Sequence, residues 1–281
     1  DSERLCYARS SFQIVSPALS RHPIKRGNPM KRLPKTWISS AHQGFVTEGV
    51  HSNTLAAYRL AAQKGADMIE TDERTTRDGV IIANHDPIVK GFDENDDMVE
   101  YVIAETDYAD IAKLRLVKNG GSESRVPTLR EILHLTYFTG MCVNIDLKEG
   151  LAHAAEVAHM VVECGMRGRT VYATNGSGAA AINLILEIDP AARFIDTKAN
   201  FTREKLAGVK DYPAKCFVYT GDFSDENIAE IRESGCMLAA ISLNAQNAPA
   251  AFRHHPDMAE YPHTSDFEAI DKDILSKWST L

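Results

Sequence analysis

Glu70 and Asp72 stand two residues apart in the stretch ADMIETDERTTRDGVIIANHDP, where the apolar pattern predicts a strand. At that spacing both carboxylates leave the strand on the same side. His42 precedes this stretch, His85 lies near its end, and Asp146 and Lys148 follow further along. Two imidazoles, three carboxylates and an ammonium could together bind a cation and move protons. Three carboxylates cannot all stay ionised side by side without a cation. An all-oxygen set suits one hard divalent ion, Mg2+ or Ca2+, rather than Zn2+. Taken singly, each residue has a plainer reading. A strand-end histidine is usually structural, and an E-x-D pair can be a solvated face. Asp146 and Lys148 can be a surface ion pair worth under ~1 kcal/mol, and Asp86 before Pro87 can simply open a turn. The argument for a site rests on their conjunction, so it depends on the elements that carry them.

TWISSAHQG reads as a first strand ending at His42, and NTLAAYRLAAQKG as a helix with Asn53 as N-cap and Gly65 as its stop. ADMIETDE and VIIANHD read as strands joined by the turn RDG, and MCVNIDLK as a strand ending in Asp146 and Lys148. TLRE at 128–131 has the capping-box pattern and opens a helix through about Leu135. Short apolar strands and helices then alternate through TVYAT, AAAINLILEI, RFIDT, KCFVYT, DENIAEIRES and MLAAISL. The chain closes with EYPHTSD and a helix near 268–277. This rhythm implies an α/β fold with a parallel sheet. In a parallel barrel the C-terminal strand ends form the catalytic face, and the six residues lie at or near such ends. Nine candidate strands are one more than a closed barrel uses, and the surplus is expected among 193–198, 215–220 and 237–243.

Residues 1–36, rich in Arg, Lys, Ser and Pro without a clear period, read as an N-terminal extension. Residues 37–281 read as one domain. Within it, 88–125 is polar and acidic (DENDD, NGGSES) and too long for an ordinary loop, so an insertion with structure of its own is expected.

The 281 residues suffice for one large α/β barrel, and 44% hydrophobic and 25% charged content is ordinary for a globular chain. A net charge of −8 argues against nucleic acid as a partner. An anionic substrate would need a local cation from a metal, Lys or Arg. No apolar run approaches the ~20 residues of a transmembrane segment. The first residue is Asp1 rather than Met, a weak lean towards a secreted or periplasmic mature form. The five cysteines show no metal-ligand spacing, and Cys142 lies in an apolar run that suits packing. Oligomeric state is not legible.

The order AHQG, NT(L)AAY, GADMIETDERTTRDGVIIANHDP, VPTLREIL, VNIDLK and TSDF resembles the glycerophosphodiester phosphodiesterase family. The match is dense over 37–148 and thin beyond 150. The resemblance implies a (β/α)8 TIM barrel that cleaves a small-molecule phosphodiester with one divalent cation. It implies that His42 and His85 are the catalytic histidines and Lys148 the phosphate-contacting lysine. Glu70, Asp72 and Asp146 would be the metal ligands, with Asp146 where the family usually has Glu. Gln43 and Asn53 fall on substrate-binding positions. Gln43 replaces the family's Arg, Ser52 replaces its Glu, and ISLNA stands where a Trp-Thr is usual. Losing an Arg and its acid together suggests a coupled change in substrate handling. His51, new here, reads as a surface residue. The function implied is hydrolysis of glycerophosphodiester-like substrates to an alcohol and a phosphomonoester, with His85 as base and His42 as acid. The alternatives are a lyase-type member releasing a cyclic phosphate and a non-catalytic phosphodiester-binding barrel.

Overall fold

A computed structural model describes residues 37–47, 49–116, 124–209 and 215–270. They belong to a unit running Pro34–Leu281, so the N-terminal extension expected at 1–36 lies outside the described residues. In chain order the elements are β1 (Ile38–Ala41), α1 (Leu55–Lys64), β2 (Met68–Thr75), β3 (Ile81–Ala83), β4 (Ile88–Phe92), β5 (Met98–Val102) and α2 (Tyr108–Ile111). Next come α3 (Leu129–Thr139), β6 (Cys142–Leu147), α4 (Ala154–Glu163), β7 (Thr170–Ala173), α5 (Gly178–Ile188) and β8 (Arg193–Thr197). The last are β9 (Cys216–Thr220), α6 (Asp225–Glu233), β10 (Met237–Ala240), α7 (Ala248–Phe252) and β11 (Met258–Tyr261). Residues 264–270 are helical, so the closing helix begins earlier than the sequence pattern indicates.

Eight strands close a parallel barrel in the order β1-β2-β6-β7-β8-β9-β10-β11, with β11 returning to β1. All three segments suspected as surplus, at 193–198, 215–220 and 237–243, contribute barrel strands. The surplus strand is instead β3, which runs antiparallel to β2 outside the barrel. Its cause is the turn at 76–80: the Thr76 and Val80 backbones are bonded at 3.0 Å and Gly79 has φ +80°. Such a tight reversal can only join antiparallel partners, whereas a parallel neighbour needs a crossover of a dozen residues.

Period two along each barrel strand sorts the interior. Met68, Val171, Ile195, Phe217, Ala239 and Met258 fill its N-terminal end as one apolar cluster. One pleat further up the same faces stand Glu70, Asn144, Tyr219 and Glu260, and above them Asp72 opposite Asp146. The outward faces carry Ile69, Val143, Ile145 and Phe194, packed in one core with Tyr58, Leu133 and Val161 of the surrounding helices. The segment from β4 onward builds a hairpin with β5. Its own small core joins Val89, Ile103, Ile111 and Leu114 to Ile82 of β3.

Two local devices hold the loops that bear on the site. Thr128 and Glu131 form the capping box that starts α3. At α1 the N-cap is Thr54, whose Oγ1 accepts from Ala57 N, and not Asn53 as the sequence suggests. Asn53 is released for another task. The β1–α1 loop begins with a sharp turn, Gln43 at φ +53° and Gly44 at φ +77°. It is closed on itself by a bond from Asn53 N to Gln43 O at 2.9 Å. A Cβ on Gly44 would come 2.7 Å from Ala57 Cβ and 2.8 Å from the Ala57 carbonyl carbon. Gly44→Ala is therefore expected to destabilise the protein by about 1–3 kcal/mol through overpacking, with left-handed strain added. The urea-unfolding midpoint measures this, and a variant as stable as the parent would show that the turn does not need glycine.

Candidate functional site

His42 follows β1 directly, its backbone N–H donating to Tyr261 O of β11 at 3.2 Å. Its Nε2 lies 3.9 Å from Glu70 Oε2. Glu70 and Asp72 point into the barrel mouth from β2, and the parallel register sets Asp72 beside Asp146 on β6. One carboxylate oxygen from each of Glu70, Asp72 and Asp146 lies within 4.8 Å of the others. Lys148 Nζ stands between two of them, 2.6 Å from Asp146 Oδ2 and 2.9 Å from Asp72 Oδ1.

The polar groups around this cluster are almost all neutral donors. Gln43 N–H donates to Glu70 Oε2 at 2.8 Å. The side-chain amides of Gln43 and Asn53 converge on Asp72 Oδ2 at 2.8 and 2.6 Å. Asn53 is held in turn by the Tyr58 hydroxyl, 2.9 Å from its Oδ1. Asn175 donates to Asp146 Oδ1 at 2.5 Å. Thus Gln43 and Asn53, at substrate-binding positions by resemblance, spend their side-chain amides on a carboxylate of the cluster.

Burial first, and then the charges of Asp72, Glu260 and Asp146, push the Glu70 carboxyl well above its ordinary range, against the bond from Gln43 N–H. For Lys148, burial works to lower the ammonium, but the bond and charge of Asp146 and then the charge of Asp72 outweigh it and raise its pKa. Two buried oxygens, Asp72 Oδ1 and Asn144 Oδ1, have no aligned hydrogen-bond donor. Lys148 lies within ion-pair distance of Asp72 Oδ1 without the alignment of a hydrogen bond. Crowded carboxylates, undonated buried oxygens and an all-oxygen donor set fit a hard divalent cation. The acidic cluster could bind one.

Sequence reasoning missed the opposite wall. Glu260 at the end of β11 is buried, and its Oε2 accepts from the Tyr219 hydroxyl at 2.8 Å. That hydroxyl accepts from Asn144 Nδ2 at 3.3 Å. Burial raises the Glu260 carboxyl, and the nearby His42 and the Tyr219 bond oppose the rise. These residues, with His42, Glu70, Asp146 and Asn175, line a cavity of about 260 Å3. The signal for Glu260 was its place at a strand end, two residues beyond the apolar Met258.

His85 lies elsewhere. The antiparallel β3 delivers it to a second cavity of about 220 Å3 that it lines with His51, Asn53 and Asn84. Its Nδ1 is 2.8 Å from Asp86 Oδ1, and that bond holds the Asp86 carboxyl below its usual range. Since a carboxylate only accepts, Nδ1 carries the hydrogen and the neutral ring keeps its lone pair on Nε2. Asn53, bonded to Asp72 and lining this second cavity, joins the two.

A sequence model of the glycerophosphoryl diester phosphodiesterase family matches residues 26–232. The chain belongs to that family. The "Probable glycerophosphodiester phosphodiesterase 2" of Mycobacterium tuberculosis is 34% identical over 136 residues, 48% of this chain and 47% of that protein. The chain spans about half the length of the curated relatives it matches. Among solved structures, a glycerophosphodiester phosphodiesterase from Agrobacterium tumefaciens superposes with a TM-score of 0.66 at 21% identity, covering 83% of this chain and 99% of that one. An Oleispira antarctica phosphodiesterase in complex with the product sn-glycerol-3-phosphate superposes with a TM-score of 0.65 at 20% identity, over 84% and 96%. At such identity these likenesses establish the TIM-barrel fold of the glycerophosphoryl diester phosphodiesterases.

One buried carboxyl of this family member faces away from the barrel mouth. Glu73, next to Asp72 on the outward side, accepts from the Thr75 hydroxyl at 3.1 Å, while its Oε2 has no donor. Burial, then the charge of Glu149, pushes it up to about 7. Because this folded pKa exceeds the unfolded value, the folded state binds the proton more tightly. The associated stability is complete below about pH 4.3 and is lost as the pH rises through 7. Glu73→Gln is expected to raise stability at pH 8, on the order of 3 kcal/mol, and to flatten the decline between the two pKa values. Urea unfolding at several pH values measures both, and an unchanged slope would remove Glu73 as its source.

Proposed function

We propose that this protein hydrolyses glycerophosphodiester-like substrates to an alcohol and a phosphomonoester, with one divalent cation, Mg2+ or Ca2+, held by Glu70, Asp72 and Asp146. The observation that carries this reading is the carboxylate trio within 4.8 Å, bridged by Lys148, with a histidine in the cavity on either hand. Family membership and the glycerol phosphate product named for the Oleispira protein support it.

A cation at the trio supplies positive charge to a non-bridging phosphate oxygen when bound. Lys148 adds a fixed ammonium as negative charge grows on the phosphoryl group. Gln43, Asn53 and Asn175 hold the carboxylates in place without adding net charge. Asp86 orients His85, whose Nε2 lone pair accepts a proton from the attacking water, so His85 takes the role of base. His42 protonates the departing alkoxide. Asp146, a methylene shorter than the Glu usual in the family, is drawn towards the mouth by Lys148 and Asn175.

Chelation followed by dialysis is expected to abolish turnover and lower the melting temperature, and Mg2+ or Ca2+ to restore both. Glu70→Gln should lose the thermal response to the cation as well as the activity. His42→Ala and His85→Ala should each cost about 10²–10⁴-fold in kcat while keeping that thermal response. Full activity in the dialysed, chelated protein would overturn the metal assignment.

A further inference from the structure

The second cavity is lined by His51, Ser52, Asn84, His85, Asp86 and Lys90, with Ile88 and Leu116 as its apolar part. Its position beside His85 makes it a place for one alcohol half of the diester. Its chemistry can be read group by group. His51 Nδ1 is 2.9 Å from Ser52 O. A carbonyl only accepts, so Nδ1 carries the hydrogen and the lone pair of the neutral ring is on Nε2. The Asn84 amide nitrogen is spent on Asp86 O and Ile88 O, at 2.7 and 3.3 Å, which leaves its Oδ1 as the free group. Asp86 gives one oxygen to His85 and keeps the other. Lys90, the one cationic side chain that lines this cavity among the described residues, is bonded to Glu100 at 2.6 Å. The cavity thus presents acceptors and a neutralised cation.

His51 is also held firmly. Its carbonyl accepts from the Thr54 hydroxyl at 2.7 Å, and its ring is tied to Ser52. Two residues on, Asn53 is locked to Asp72 with φ +54°. A preorganised acceptor loses little freedom on binding and can select a ligand.

We propose that this cavity binds one alcohol half of the substrate and selects an alcohol that carries hydrogen-bond donors, hydroxyl or primary ammonium, with His51 Nε2 as the selecting acceptor. The proposal rests on the phosphodiesterase reading. It gives His51 a binding role in place of the surface role its sequence context suggests. A quaternary ammonium or a plain alkyl group offers no donor, and would leave Nε2 and Asn84 Oδ1 unpaired in the complex.

The test measures kcat/KM for three diesters with Mg2+ present: glycerophosphocholine, propylphosphocholine and propylphosphoethanolamine. The first pair differs by hydroxyls and the second by ammonium donors, so the pair that responds identifies the source of the donor. The wild type is expected to prefer the donor-bearing member of at least one pair by about tenfold or more. That preference should fall about tenfold in His51→Ala and in His51→Phe, which keeps a ring without an acceptor. His51→Gln, which keeps an acceptor, should retain most of it. Each ratio is read within one variant, so a loss of folded protein cancels. A wild type without either preference, or one whose preference survives His51→Ala, overturns the proposal while the phosphodiesterase reading stands. Cleavage of none of the three by cation-loaded protein overturns both.

Discussion

Among the described residues, the carboxylates of Glu70, Asp72, Asp146 and Glu260 gather at the mouth of one barrel around the ammonium of Lys148. Two like charges 4 Å apart repel by about 4 kcal/mol at an effective dielectric of 20. The surroundings are arranged to bear that repulsion without cancelling it. Neutral amides and a tyrosine hydroxyl donate to the outer oxygens, while Asp72 Oδ1 is left without an aligned donor. Full neutralisation by arginines would stabilise the barrel and remove its capacity for a cation. The elevated Glu70 and Glu260 are the residue of that compromise, and a divalent ion, which the acidic cluster could bind, would relieve it.

The same constraint explains how Gln43 can stand where the resembling family has arginine. The acid that would accompany that arginine is replaced by Ser52 here, so one positive and one negative charge are missing together. Gln43 keeps the geometric part of the task. Its backbone N–H and side-chain amide bond Glu70 and Asp72, fixing two carboxylates from one residue. It does so from a left-handed conformation that a non-glycine residue adopts only when its contacts over-determine it.

How much of this was legible in the sequence follows from which interactions are local. Period two put Glu70 and Asp72 on one face, and backbone geometry alone carries that inference; Lys148 lies just past the end of β6, in a turn where its N–H bonds Asp146 O. His85 was harder. Apolar content marks a strand at 81–83 but says nothing of its direction, and only the five-residue span from Thr76 to Val80 reveals that it folds back. Asn53 was misjudged as a helix cap because Asn and Thr compete for that role. The winner was decided by Asp72, nineteen residues away. Glu260 escaped because its partners, Tyr219 and His42, arrive from β9 and β1, and no local pattern announces a meeting across the barrel.

The β1–α1 loop is where these threads join. Its first residue, His42, lines the carboxylate cavity, and its later ones, His51, Ser52 and Asn53, line the cavity of His85. One backbone bond from Asn53 to Gln43 closes it, and Gly44 lets it press against α1. Gln43 and Asn53 bond the same oxygen of Asp72, so that carboxylate fixes the loop at two positions ten residues apart. A change in the charge of Asp72 therefore acts on the loop at both positions at once. His51 and Ser52, by contrast, line the second cavity and bond within the loop rather than to the carboxylate trio.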